Sequence, residues 1–298
     1  MKITEFYIES FDHFRLSAKV YEADRAKAVV QIVHGMCEHK ERYDFFAGKL
    51  TENGYDVVIS DLRGHGLSVG EDGLLGYFGK KDGPETLIED QFAVNKFIKD
   101  RFPQQPVYLF AHSMGSLIAR NYLPKYDSTI EKLILSGAPC YRRGCGFACA
   151  LSKAAVLFSG AENCNQLIKS FAPGGGKGDL PNAWLSYNKQ NVKEYNEDKM
   201  CGFPFTNAGY LTLYELDRRL HDFKRNGARH PMLDILFLAG EDDPVTGGRK
   251  GLQDSADSLR KAGYRNVAMK TYAHMRHEIL KEAECELVIR DAISFFDR

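Results

Sequence analysis

The sequence predicts an α/β protein: a mostly parallel central sheet with helices on both faces and an inserted cap. Three observations carry this expectation. Short β-branched apolar runs alternate with longer stretches whose apolar residues recur at helical spacing, the pattern that builds a parallel sheet. The runs are apolar throughout, as in strands covered on both faces, and do not alternate with polar residues. The rhythm then stops over 141–225, which is too long for a plain loop in a compact domain and should carry structure of its own.

In chain order, ITEFYIES and FRLSAKVYEA, separated by Phe11-Asp12-His13, read as a strand hairpin. AKAVVQIVHG is a buried strand ending in glycine. ERYDFFAGKLTENG is a helix with a glycine suited to its C-cap. YDVVISDLRGHG supplies the next buried strand and PETLIEDQFAVNKFIKDRF an amphipathic helix. PVYLFAHS is a strand, MGSLIARNYLPKY the helix after it, and IEKLILSGAP another strand. Past the irregular stretch come the strand PMLDILFLAG, a helix near Gly251–Ala262, the strand NVAMKTY and a last helix, EAECELVIRDAISFF. The core is therefore expected over 1–140 and 226–298, with the cap over 141–225. The glycine-rich PGGGKG at 173–178 lacks the Gly-Lys-Ser/Thr ending of a phosphate loop and follows no strand, so a flexible cap segment is expected there.

Charge excludes one class of partner. Lys plus Arg and Asp plus Glu are 40 each, so there is no basic excess of the kind that marks nucleic-acid binding. The longest apolar stretches, about ten residues, are too short to span a bilayer. The first residues, MKITEFYIES, have no signal-peptide core. Together these features lead to the expectation of a cytoplasmic protein. Cys140, Cys145, Cys149 and Cys164 cluster in sequence, but their spacings match no zinc pattern and no histidine lies near, so they read as small apolar residues in a reducing compartment. No metal and no cofactor is expected.

Ligands of open parallel sheets bind beyond the carboxyl ends of the strands. There the sequence sets HGMCEH (34–39), DLRGHGLS (61–68), HSMG (112–115), GEDDPV (240–245) and AHMRHE (273–278). Ala111-His112-Ser113-Met114-Gly115 nearly spells Gly-x-Ser-x-Gly, the turn that presents a nucleophilic serine. A serine hydroxyl needs a histidine base that a carboxylate orients. Asp242 or Asp243, then His274 or His277, follow Ser113 in the order serine, acid, histidine. The positions flanking the serine must be small because strand and helix nearly touch at this strained turn, and Ala111 and Gly115 meet that need.

With these pieces in place, HGMCEHKERY, DLRGHGLS, AHSMGS, GEDDPV and RHEIL resemble the α/β-hydrolase family, and within it the monoacylglycerol lipase and lysophospholipase branch of the serine aminopeptidase S33 type. WLSYN and DKMCGFPFT resemble the lid of bacterial members. The resemblance implies Ser113 as nucleophile, Asp243 as acid and His277 as base. It implies an oxyanion hole of the Met36 and Met114 backbone N–H groups. Asp242 is then a solvated turn residue and His274 a loop residue. Arg63 and His65 are expected to be structural. Glu38, Arg42 and His112 match positions that either bind the polar head of a substrate or serve as structural hydrogen-bonding groups. Phe171 and Trp184, with Phe147, Leu151, Leu157, Phe158, Leu167 and Phe203, would give the cap an apolar surface for an acyl chain, unless they pack the cap onto the core. The implied activity is hydrolysis of esters of single-chain lipids, a lysophospholipid or monoacylglycerol, with transient contact between the cap and a membrane surface. A carboxylesterase or thioesterase for short-chain or non-lipid acyl groups is the alternative. The sequence gives no oligomeric state.

Overall fold

The computed structural model describes residues 1–71, 73–79, 82–172, 180–222 and 227–298; the glycine-rich 173–178 lies outside them. β1 (Lys2–Glu9) and β2 (Arg15–Glu22) form the expected antiparallel hairpin. Its turn is closed by the Ser10 N–H donating to the Phe14 carbonyl at 2.8 Å. β3 (Ala28–Val33), α1 (Asp44–Glu52), β4 (Tyr55–Ser60), α2 (Gly83–Arg101), β5 (Val107–His112), α3 (Met114–Tyr126) and β6 (Lys132–Ser136) follow where the apolar spacing puts them.

The stretch read as irregular is largely helical: α4 (Cys145–Ser159), α5 (Gln166–Lys169), α6 (Lys189–Glu197) and α7 (Asn207–Arg218). Periodicity hid them for a physical reason. α4, CGFACALSKAAVLFS, carries apolar residues on its exposed side as well as its buried one, so no stripe stands out. The starts of α6 and α7 are set by single caps. The Asn188 side chain accepts from the N–H groups of Gln190 and Asn191, and Thr206 Oγ1 accepts from that of Gly209. α7 then lies against α2 and α3. β7 (Asp234–Gly240), α8 (Gly248–Ala262), β8 (Asn266–Tyr272) and α9 (Cys285–Phe296) complete the described chain.

The eight strands run in the order β1-β2-β4-β3-β5-β6-β7-β8, parallel from β4 to β8 and antiparallel at the β1-β2-β4 edge. Side chains of each central strand divide between two cores. Val29 and Val33 of β3, Leu109 and Ala111 of β5, and Ile235 and Phe237 of β7 face the core built with α2, α3, α7 and α8. Val30 and Ile32, Phe110, and Leu236 and Leu238 face the core built with α1 and α9. Burial on both faces is why these strands read as unbroken apolar runs.

The chain steps from β3 to β4 on one side and returns past β3 to β5 on the other. A crevice therefore opens between the carboxyl ends of β3 and β5. Backbones pack so tightly there that a Cβ on Gly115 would sit 2.3 Å from the Val33 carbonyl oxygen and 2.6 Å from that of His34. Gly115→Ala should accordingly destabilise the fold by about 1–3 kcal/mol, read as a lower urea midpoint at unchanged slope. An unshifted midpoint would show that the contact between α3 and β3 is slack.

Candidate active site

Ser113 occupies the sharp turn between β5 and α3 with φ 52° and ψ −117°, a conformation that costs a non-glycine residue about 1–3 kcal/mol. The turn holds it there. The Ser113 N–H donates to the Ser136 carbonyl at 2.9 Å, and Ser116 Oγ donates to the Ser113 carbonyl at 2.6 Å. Ala111, two residues earlier in β5, is fully buried between Val33 and Leu135, and its methyl group fits.

The loops after β7 and β8 bring two further groups to this serine. His277 Nε2 lies 2.7 Å from Ser113 Oγ, and His277 Nδ1 lies 2.9 Å from Asp243 Oδ2. The carboxylate fixes the proton on Nδ1, leaving Nε2 to accept from the serine hydroxyl. Asp243 Oδ1 accepts from the Val245 N–H at 2.8 Å. Burial alone would push the Asp243 carboxyl up, but His277 and these hydrogen bonds hold it below the ordinary carboxylate range. Burial alone would likewise depress His277; Asp243 outweighs it and raises the imidazole above its ordinary value. Two glycines make room for the histidine. A Cβ on Gly240 would come within 2.2 Å of the Met275 carbonyl oxygen, and one on Gly137 within 3.1 Å of the His277 ring. Asp242 and His274 are exposed, with the Tyr187 hydroxyl donating to Asp242 Oδ2 at 3.1 Å.

Met36, in the turn after β3, and Met114, the first residue of α3, line the same crevice. The loop carrying Met36 is fixed by polar side chains. His34 Nε2 accepts from the Leu62 N–H and Nδ1 donates to the Gly35 carbonyl, each at 2.8 Å. Glu38 Oε1 accepts from the Gly35 N–H at 2.5 Å and from the Tyr43 hydroxyl at 2.9 Å. Arg42 Nε donates to Glu38 Oε2 at 3.2 Å, and its Nη2 donates to both oxygens of Glu278 at 2.7 Å. Burial raises the Glu38 carboxyl, Arg42 lowers it, and the balance leaves it near 2. Glu38 thus lines the crevice with its oxygens already engaged, and Arg42 stands behind it, bonded to Glu38 and Glu278.

His112 lies beside the crevice, its ring 4.8 Å from that of His277 and its Nδ1 3.3 Å from Ser136 Oγ. Burial first, then His277, pushes it down to about 4, so it stays neutral beside His277. Trp184 closes the crevice with its ring 5.1 Å from His277. Phe171 is not brought there. It lines a separate cavity of about 220 Å³ with Phe147, Tyr214 and Asp217. Arg63 and His65 are structural in geometry: Arg63 binds Asp90 and Asp12, and the His65 ring stacks on Phe78.

Sequence reasoning gave no role to Glu278, Glu282, Asn191 or Tyr195. Buried Glu282 accepts from the N–H groups of Arg276, Tyr187 and Asn188 and from Ser186 Oγ, clasping the segment that bears Trp184 to the His277 loop. Asn191 Nδ2 donates to Glu278 Oε2 at 2.6 Å, and the Tyr195 ring lies under Arg42 at 4.8 Å. Adjacency to His277 in RHEIL was the only trace of Glu278, and it says nothing of a partner 236 positions away.

Residues 24–284 match the sequence profile of the family described as serine aminopeptidase, S33. The chain belongs to this family. This S33 member is similar to the monoacylglycerol lipase of Mycolicibacterium smegmatis, 27% identical over 273 residues that cover 90% of this chain and 88% of that one. The protein of Haemophilus influenzae named probable lysophospholipase L2 is 33% identical over 110 residues, 37% of this chain, and the match covers 34% of that protein's length. The match to phospholipase YtpA of Bacillus subtilis covers 43% of its length. Among solved structures, a thermostable carboxyl esterase from Bacillus coagulans superposes with a TM-score of 0.90 at 25% identity, over 100% of this chain and 98% of that one. The fold is the α/β-hydrolase fold.

The ion cluster beside the crevice yields a stability prediction. Glu278→Ala leaves Arg42 buried with one of its two carboxylates gone, which should cost about 3–5 kcal/mol and lower the thermal midpoint sharply. A midpoint within a degree or so of wild type would mean that Arg42 draws nothing from Glu278.

Proposed function

We propose that the protein is a serine ester hydrolase acting on single-chain lipid esters, with residues 141–225 serving as a cap over the site. The observation that carries this reading is the unbroken hydrogen-bond chain from Ser113 through His277 to Asp243 at 2.7 and 2.9 Å. Ser113 Oγ attacks the ester carbonyl while His277 Nε2 takes its proton. The carbonyl oxygen becomes an oxyanion, which the N–H groups of Met36 and Met114 receive, each such donor contributing roughly 3–4 kcal/mol in related systems. As the intermediate collapses, the imidazolium gives its proton to the departing alcohol. Water then attacks the acyl-serine by the same route, releasing the acid and restoring Ser113. Asp243 keeps His277 in the useful tautomer and stabilises its charge. Neutral His112 adds no repulsion against that charge.

Several features support a lipid ester. Leu117, Pro139, Trp184, Leu185 and Leu213 give the crevice apolar walls. Phe147, Leu157, Phe158 and Leu167 are 59–82% exposed on α4 and α5, a face suited to transient contact with a lipid aggregate. Leu151, Phe171 and Phe203 instead pack half-buried against the core. The crevice volume favours the second reading, a short-chain carboxylesterase. At about 30 Å³ it holds little more than a water, so a long acyl chain must displace its wall.

Four measurements test these readings. A fluorophosphonate probe should label wild type and not Ser113→Ala, and labelling that survives the substitution rejects the nucleophile. Because His277 must be neutral to accept a proton and its pKa is raised by Asp243, kcat/KM should fall on the acid side through a midpoint above 6.5. Asp243→Asn should cut kcat by about 10⁴; an acid limb at or below 6.5 in wild type would contradict the assignment. In a p-nitrophenyl ester series, activity should persist beyond about C6 chains, and collapse there selects the short-chain enzyme.

A further inference from the structure

Three metal-competent side chains meet away from Ser113. His39 comes from the loop after β3, Asp198 and Cys201 from the turn after α6, and their ligand atoms lie within 4.8 Å of one another. The turn aims the last two together: the Cys201 N–H donates to the Asp198 carbonyl at 3.0 Å. Asp198 Oδ1 accepts from the Met200 N–H at 2.8 Å, leaving Oδ2 facing His39 Nε2 at 2.8 Å. On the other side of the ring, His39 Nδ1 bonds Glu41 Oε2 at 2.6 Å, and Lys40 holds the second oxygen of Glu41 at 2.8 Å. A carboxylate on the far nitrogen is the arrangement that fixes a metal-ligating histidine with its other nitrogen free to coordinate. His39 and Cys201 are buried, while the Asp198 side chain is 32% exposed and gives an ion a way in.

We propose that His39 Nε2, Asp198 and the Cys201 thiolate form a zinc-class metal site that ties the Met36 loop to the turn after α6. One imidazole, one carboxylate and one thiolate form a borderline-soft donor set that suits Zn²⁺ over Mg²⁺ or Ca²⁺, with water completing a tetrahedron. Nitrogen and oxygen ligands on tetrahedral zinc stand roughly 3.3–3.4 Å apart, so the His39–Asp198 pair at 2.8 Å opens by about half an ångström on binding. The thiol proton of Cys201 and the proton between His39 and Asp198 leave to solvent as the metal enters. The four-cysteine stretch at 140–164 plays no part.

Chelator-treated full-length protein titrated with Co²⁺ should develop a thiolate-to-cobalt charge-transfer band that saturates at one equivalent and is bleached by Zn²⁺. Cys201→Ser should abolish the band, whereas replacement of the exposed Cys164 by serine should leave it intact. Glu41→Gln should weaken affinity about 10–100-fold. Zn²⁺ should raise the melting temperature of wild type and not of Cys201→Ser. No band in wild type overturns the site, as does a band that survives Cys201→Ser. None of these readouts depends on ester hydrolysis, so they stand whichever way the esterase assays fall.

Discussion

Arg42 sits between two buried carboxylates, Glu38 and Glu278, and the geometry of the candidate site rests on that pairing. Each ion would be costly to bury alone, because removal from water is repaid only by close partners and full hydrogen bonding. Here nearly every valence is used. Glu38 spends one oxygen on the Gly35 N–H, which sets the backbone that leads into Met36. Glu278 is the residue after His277, and its N–H donates to the Leu185 carbonyl at 2.7 Å, next to Trp184. One ion cluster therefore joins the loop after β3, the loop after β8 and the segment between β6 and β7. Those three pieces must keep register for Ser113 to face His277.

The segment bearing Trp184 is bound to the His277 loop more firmly than a surface cover needs. Glu282 gathers four donors from both sides of the junction, and Arg276 donates to the Ala183 carbonyl at 2.6 Å while its guanidinium lies 3.9 Å from the Tyr187 ring. Ala183 to Asn188 and the histidine loop thus behave as one packed unit. α4 is different, with apolar side chains facing outward on one side. The stretch between β6 and β7 combines a fixed wall for the crevice with an outward apolar helix.

Much of this was legible in the chain. Strands buried on both faces announce themselves as unbroken apolar, β-branched runs, and β3 to β7 were placed in order for that reason. The turn at Ser113 was recognisable despite Ala111, because the requirement is for small residues and the serine, acid and histidine follow in order after separate strands. The helices α4 to α7 were not legible. The apolar residues of α4 lie on several faces, and the starts of α5, α6 and α7 depend on one capping side chain each. The clasp residues Glu278 and Glu282 were equally silent, because a carboxylate in sequence looks the same whether it is solvated or buried against a distant arginine. Glu38 and Arg42 had left two readings open, and their engaged atoms favour the structural one.

The sequence by itself determined the strand–helix alternation, the strained turn and the chemical kinds of the groups at the strand ends, because these depend on local sterics and on the burial pattern of single elements. Only the tertiary structure decided which groups meet: that Trp184 closes the crevice while Phe171 lines another, and that Arg42 is held by Glu278. Such choices are made by packing between segments far apart in the chain, where a side chain's partner is set by the crossing of loops and not by its neighbours in sequence.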